Sequence, residues 1–263
     1  MNGKSVRLER IMDRRTGRAV IVPMDHGISD GPLEGLTDMR RTVDDVANGG
    51  ATAVVMHRGL VRHSYRGSGR DVGLLLHLSA STNIGPGRNS KVQIATVEEA
   101  IRCGADGCSI HVNFGDSGEP RMLAEAGEVA RKCDEWQMPL LIMAYPRWPG
   151  MGDPYDPRLV AHCARAAAEI GADIVKVSYT GDVDSFREVV RGALAPVVIA
   201  GGPKMDTALD VLHMVHDSVE AGGRGVSIGR NVFQNGDVSG IARAISKIVL
   251  EDYSVEEAAA YLR

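Results

Sequence analysis

The sequence predicts an α/β protein folded as one (β/α)8 TIM barrel, and three observations carry that prediction. Eight short aliphatic runs recur along the 263 residues, separated by turn residues and amphipathic helical stretches. The length is close to the roughly 250 residues of a complete barrel. Polar residues cluster at the carboxyl ends of several runs, where barrels keep their chemistry. A doubly wound sheet would want Gly-x-Gly-x-x-Gly after the first strand, and here that strand ends in Asp25-His26-Gly27.

The runs are 19–25, 52–57, 74–79, 106–112, 139–145, 173–178, 196–201 and 224–229. They are apolar on both faces, as parallel strands covered by helices are. Between them the 3.6-residue pattern predicts helices over 37–48, 119–136, 158–170, 205–221 and 238–250. Thr37 is the expected cap of the first, and Asp156-Pro157 supplies a cap and a first-turn proline for another. No second domain and no low-complexity linker is visible, so residues 1–263 read as one domain. Segments 64–73 and 83–91 read as long loops over the barrel mouth. The last stretch, 255–262, reads as a short helix that packs on a neighbouring subunit.

Composition narrows the function. Hydrophobic residues make up 44%, charged residues 24% and aromatics 4%, which suits an aliphatic core. A formal charge of −4, with basic residues spread thinly, gives no reason to expect nucleic acid or an acidic membrane as partner. No segment approaches the ~18 continuous apolar residues of a membrane span, and the polar, Arg-rich start does not resemble a secretory leader. Cys103, Cys108, Cys133 and Cys163 form no Cys-x-x-Cys pair and have no His at finger spacing, so no zinc site is expected. The expected setting is the cytoplasm, with reduced thiols.

Lys176 is the most informative residue. The chain has six lysines, and this one alone stands inside an apolar strand, Ile174-Val175-Lys176-Val177. A lysine pointing into a barrel is paired, lies near water, or loses its proton, because an unpaired buried ammonium is costly. Burial and nearby cations favour the neutral amine, the nucleophile that forms a Schiff base with a carbonyl. The competing reading is a structural ion pair with a carboxylate such as Asp25. Asp25 is in turn either a proton-transfer group and partner of an iminium charge, or a loop cap. Tyr145, in Tyr145-Pro146-Arg147, is either a proton donor to a substrate oxygen or a packing residue. Gly201-Gly202-Pro203 and Gly229-Arg230 follow strands 7 and 8, the corner where many barrels hold phosphate on bare amides. Arg230 would add a charged donor there. His57, His77 and His111 raise a metal-dependent alternative, but no compact ligand set accompanies them and they read as core or loop histidines.

Taken together, Asp25-His26-Gly27, Tyr145-Pro146-Arg147, Ile174-Val175-Lys176, Ala200-Gly201-Gly202-Pro203-Lys204 and Gly229-Arg230-Asn231 resemble the archaeal-type class I aldolase family, over nearly the whole chain. The resemblance implies that Lys176 forms a Schiff base with a keto-sugar phosphate, Asp25 accepts a proton and Tyr145 donates one. It also implies that His26, Gly27, Ile28 and Ser29, with Pro146, Arg147, Gly201, Gly202, Gly229 and Arg230, hold the substrate and its phosphate. No metal or organic cofactor is implied. Segments such as Gly31-Pro32-Leu33-Glu34-Gly35-Leu36 and Ser178-Tyr179-Thr180-Gly181-Asp182 point within the family to a transferase that passes a keto-sugar phosphate fragment to L-aspartate semialdehyde, toward 3-dehydroquinate and aromatic amino acids. The alternatives are a fructose-bisphosphate aldolase, or a variant joining the semialdehyde to dihydroxyacetone phosphate. The family implies a homo-oligomer, such as a decamer. Trp148 stands where glycine is usual and Val177 where threonine is usual; a tryptophan there would reshape the acceptor side of the mouth.

Overall fold

The computed structural model describes residues 3–64 and 69–262. Eight parallel strands close into a barrel: β1 (Ala19–Pro23), β2 (Ala53–Met56), β3 (Gly73–His77), β4 (Gly107–Phe114), β5 (Leu140–Pro146), β6 (Ile174–Ser178), β7 (Val197–Ala200) and β8 (Gly225–Ser227). β8 pairs back onto β1, with Ala19 opposite Gly225 and Ile21 opposite Ser227. The fold class is the one the sequence predicts.

Alternation along the strands divides the core in two. One set of side chains faces the helices and forms the large outer core, including Val20, Val22, Val54, Leu76, Ile110 and Ile142. The other set faces inward: Ala19, Ile21, Ala53, Val55, Leu75, Leu141, Met143, Tyr145, Ile174 and Val198. Continuing the inward parity of β1, β2, β3 and β6 reaches Asp25, His57, His77 and Lys176. The lower end of the barrel is closed by the chain that precedes β1. Ile11 is fully buried among the inward residues, with Leu8 and Met12 beside it. Gly73 and Gly107 leave room for this plug: a Cβ on Gly73 would lie 2.4 Å from the Arg10 carbonyl oxygen, and one on Gly107 3.0 Å from Ile11 Cδ1. Lys4 pairs with Asp134 and Asp173, and Arg10 with Asp71 and Asp106, tying the plug to the loops that enter the strands.

Several elements differ from expectation for local reasons. The first crossover helix is Met39–Asn48, and its cap is Asp38, whose carboxylate accepts from the Arg41 amide, rather than Thr37. Asp156 caps Pro157–Ile170 as expected. The predicted strand 74–79 breaks at Leu78: the chain leaves the barrel after His77 and forms a small antiparallel hairpin, Ser79–Ala80 with Val92–Gln93. The segment 83–91 lies within that hairpin. Of the expected loop 64–73, residues 65–68 lie outside the described residues, and Arg58–Val61 forms a helical turn just before it. Helices Gly3–Leu8, Val97–Arg102 and Val183–Ala193 lie outside the stretches that the sequence pattern predicts; the second carries a full capping box, Thr96 with Glu99. The last helix, Val255–Ala259, buries Val255 and Ala258 against the helices Val238–Glu251 and Ala208–Glu220 of its own chain. No helix among the described residues is long and apolar enough to cross a membrane. The four cysteines are free thiols.

Candidate active site

The carboxyl ends of the strands bring the chemistry-bearing side chains into one layer. Lys176 sits beside Met143 of β5 and Val198 of β7 in the strand register, so it points inward near the top of the barrel. Its side chain is buried, at 7% exposure, and its amine has no hydrogen bond or ion pair among the described residues. Burial brings the amine down to about 8; Arg147 and Arg230 push the same way, and Asp25 opposes them. The structural ion-pair reading therefore fails geometrically: Asp25 attracts Lys176 without a direct bond to it.

Asp25 follows β1 and is ringed by histidines. His77 Nε2 is 3.7 Å from its Oδ2, and His26 Nδ1 3.7 Å from its Oδ1. Burial alone would raise the carboxyl, but neighbouring positive charge from His77, His26, Lys176 and His57 outweighs it and holds the group well below the usual range. Burial holds His77 down to about 3 and lowers His26 and His57 as well. At neutral pH His77 is accordingly uncharged and Asp25 ionised; the histidines oppose protonation of Asp25 at the low pH where they gain charge, and Lys176 does so throughout. His77 is fixed by a 2.8 Å contact from Nδ1 to the Ser109 hydroxyl, and His57 by a 3.2 Å contact from Nδ1 to the His77 carbonyl.

Tyr145 lies two residues beyond Met143 on the inward face of β5, one layer above Lys176. Burial, reinforced by Asp25, raises its phenol well above 10, against the opposing pull of Arg147 and Arg230, so the group stays protonated. The Arg147 guanidinium stands 5.0 Å from the Tyr145 ring centre, and the His111 ring packs edge-on at 5.1 Å. His111 is held in turn by Asn113, at 2.8 Å.

The glycines of β7 and β8 form the opposite wall. Gly201 is buried, and a Cβ there would lie 2.7 Å from Ile228 Cγ2. Gly202 has φ +64, a conformation that favours glycine. A Cβ on Gly229 would meet His26 Cε1 at 2.6 Å and the Pro23 carbonyl at 2.9 Å. Arg230 donates to the Gly202 carbonyl at 3.1 Å, and its Nε is buried without a partner. The buried His57 Nε2 and His26 Nδ1 also lack hydrogen-bond partners. Unsatisfied buried donors and acceptors gathered around one mouth suit a site that a polar substrate completes.

The structure thus gathers Asp25, His26, Tyr145, Lys176, Gly201, Gly229 and Arg230 around one mouth. Pro146 is buried at the end of β5, while Arg147 and Gly202 are more exposed at the rim. Gly27, Ile28 and Ser29 form a single helical turn; Ile28 is exposed, and the Ser29 hydroxyl donates to the Ser81 carbonyl, lacing this loop to the hairpin. Trp148 packs onto the end of β4, where a Cβ on Gly115 would lie 2.4 Å from its ring. Sequence reasoning passed over His57 and His77 as core or loop residues. The missed signal was parity, since both end their strands on the inward face.

A closed parallel barrel with a partly deprotonated lysine at its mouth is the framework of a Schiff-base aldolase. The family follows from direct comparison: residues 19–235 match the model of the DeoC/LacD family aldolases, and the chain belongs to that family. It is an aldolase-type enzyme. A Streptomyces griseus protein named 2-amino-4,5-dihydroxy-6-oxo-7-(phosphonooxy)heptanoate synthase is 40% identical over 246 residues, covering 94% of this chain and 90% of the relative. A Halobacterium salinarum protein named 2-amino-3,7-dideoxy-D-threo-hept-6-ulosonate synthase is 40% identical over 259 residues, covering 98% and 96%. Among solved structures, an archaeal fructose-1,6-bisphosphate aldolase whose catalytic lysine carries the carbinolamine intermediate superposes with a TM-score of 0.87 at 33% identity, covering 94% of this chain and 99% of that one.

Proposed function

We propose that this chain is a Schiff-base synthase of the 2-amino-3,7-dideoxy-D-threo-hept-6-ulosonate type, acting toward 3-dehydroquinate and aromatic amino acids. The observation that carries the reading is Lys176, a buried amine brought to about 8 with no bond to hold it. Lys176 Nζ attacks the ketone carbon of a keto-sugar phosphate, and loss of water from the carbinolamine leaves an iminium ion. Asp25, ionised at neutral pH, accepts the proton that the Lys176 ammonium sheds before attack, returns it to the departing hydroxyl, and then steadies the iminium. Breaking the bond between the α and β carbons, with the β-hydroxyl proton passing to Asp25 and later restoring the Tyr145 phenol, leaves an enamine on Lys176 and frees an aldehyde. The enamine carbon then attacks the aldehyde of L-aspartate semialdehyde, Tyr145 protonates the new alkoxide, and water hydrolyses the iminium to release product. Gly201, Gly202, Gly229 and Arg230 help to hold the keto-sugar donor, and no metal or organic cofactor enters the scheme. Four free thiols and small phosphorylated substrates fit a cytoplasmic enzyme, and we read it as a homo-oligomer.

A second reading has one specific support. The Streptomyces name describes a seven-carbon 2-amino acid with a phosphate next to its C6 ketone, which is the semialdehyde joined to dihydroxyacetone phosphate. The glycine corner lies on the Lys176 side of the mouth, where a phosphate retained on the enamine fragment would sit. The deciding experiment offers L-aspartate semialdehyde with deoxy-keto-fructose phosphate or with dihydroxyacetone phosphate, and, separately, fructose bisphosphate alone. An unphosphorylated seven-carbon product supports the synthase. A phosphorylated one moves the assignment to the variant, and bisphosphate cleavage without the semialdehyde moves it to a glycolytic aldolase.

A further inference from the structure

The loop that leaves β5 carries a hydroxyl that the mechanism does not use. Residues 147–156 follow the strand and end where Asp156 caps the helix Pro157–Ile170. The loop is tied down along its length. Trp148 packs on Gly115 at one end, and its carbonyl accepts from the Met151 amide at 3.2 Å. The Asp153 carboxylate accepts from the Tyr155 amide at 2.8 Å, an Asx turn that fixes the backbone there. One residue on, the Asp156 carboxylate accepts from the Arg158 amide at 2.8 Å. Tyr155 is thus held between a turn and a helix cap.

From this loop Tyr155 reaches past β6 to the end of β7. A Cβ on Gly202 would lie 3.7 Å from the Tyr155 hydroxyl oxygen, so the phenol stands over the bare face of that glycine. Arg230 comes to the same residue from the end of β8, through its bond to the Gly202 carbonyl. Its Nε is buried without an acceptor, and a guanidinium can only donate. Tyr155 engages only its amide among the described residues, and its hydroxyl makes no hydrogen bond. The ring is 41% exposed, so it adds little to core packing. Two uncommitted donors therefore flank Gly202. The field of Arg230 reaches Lys176 and Tyr145, which ties this corner to the reacting layer.

We infer that Tyr155 is a donor-specificity residue: its hydroxyl reads the substituent that the ketone carries on the side away from the bond that breaks. This rests on the Schiff-base reading above and holds for either donor weighed there. Once Lys176 holds the ketone carbon, the reacting bond lies toward Tyr145, which serves the oxygen of the aldehyde. The other substituent is left facing the glycine corner. In the deoxy donor that substituent is a methyl group, which offers no acceptor. In dihydroxyacetone phosphate it is a phosphate ester, whose oxygens accept from the phenol and the guanidinium together. A site with donors placed for an acceptor discriminates against the analogue that lacks one, because its polar groups are then left unpaired. Tyr155 accordingly raises the preference for the phosphate-bearing terminus, and removing its hydroxyl moves the enzyme toward the methyl-bearing one.

The test uses dihydroxyacetone phosphate, dihydroxyacetone and hydroxyacetone, which carry phosphate, hydroxyl and hydrogen on the same carbon. Wild type, Tyr155→Phe and Tyr155→Ala are each titrated with the three donors, the Schiff base is trapped with borohydride, and the intact protein is weighed. No acceptor aldehyde is needed, so the identity of the acceptor does not enter. In Tyr155→Phe the half-saturating concentration of dihydroxyacetone phosphate should rise roughly ten-fold or more, with a much smaller change for hydroxyacetone. An equal change for both donors overturns the inference. So does a loss that appears in Tyr155→Ala but not in Tyr155→Phe, since the ring and not the hydroxyl would then be what matters. A wild-type adduct with hydroxyacetone and none with dihydroxyacetone phosphate overturns it as well. The absence of an adduct with any of the three would overturn the Schiff-base reading itself, and this inference with it.

Discussion

The pH dependence of adduct formation is the sharpest consequence of the Lys176 environment. With its amine at about 8, roughly a tenth of the enzyme carries the neutral nucleophile at pH 7, about half at pH 8 and about nine tenths at pH 9. The rate of Schiff-base formation should therefore rise about ten-fold between pH 7 and pH 9 and then level off. A lysine at the ordinary 10.5 would gain about a hundred-fold over the same interval and continue to climb. Mixing enzyme with a saturating keto-phosphate, quenching at intervals with borohydride and weighing the intact protein gives the rate of the covalent step at each pH. Lys176→Ala should show no adduct at any pH. A rate still rising ten-fold per pH unit beyond pH 9 would refute the electrostatic account of the site, and an adduct surviving in Lys176→Ala would refute the assignment of the nucleophile.

The same burial has a thermodynamic cost. The fall from 10.5 to about 8 corresponds to about 3 kcal/mol. Below pH 8 folded and unfolded chains both carry the proton, and the fold bears the whole cost; between 8 and 10.5 only the unfolded chain keeps it, so stability rises with pH. The stability of Lys176→Met relative to wild type should then decline by about 2 kcal/mol from pH 7 to pH 9.5, as read by denaturant unfolding at each pH. In Asp25→Asn the opposing carboxylate is gone, so the midpoint for adduct formation should move below 8, while overall turnover falls by roughly a hundred-fold or more. Adduct trapping and turnover measured side by side separate those two effects. Gly229→Ala must displace His26 or the β1 backbone, because the new methyl lies 2.9 Å from the Pro23 carbonyl oxygen. It should lower stability by about 1–3 kcal/mol and raise KM for the phosphorylated donor, checked by thermal melting and steady-state kinetics.

The repeating pattern makes the fold legible in the sequence. Eight apolar runs with helical stretches between them leave few alternatives, and each run ended near the residue where its strand ends. The exceptions came from places where a neighbour in space decides. The run 74–79 is uniformly apolar, yet the chain turns out of the barrel after His77 because Ser79 and Ala80 find partners at Gln93 and Val92. Thr37 and Asp38 are both good caps, and the geometry of the preceding loop selects the second. The helix Val255–Ala259 has an apolar face that a sequence alone assigns as readily to a partner as to its own chain; here Val255 and Ala258 are buried on the chain itself.

For the site, the sequence by itself determined which strand ends carry reactive groups, because a lysine in an aliphatic strand and paired glycines after two others are local signals. Only the tertiary structure decided how those groups meet. It placed His77 and His57 around Asp25, withheld a direct Lys176–Asp25 bond, and folded the hairpin back so that Lys91 donates to the Ser81 hydroxyl. The physical reason is that a proton's affinity for an amine or a carboxyl depends on burial and on charges brought in from distant parts of the chain. Those distances exist only once the barrel has closed.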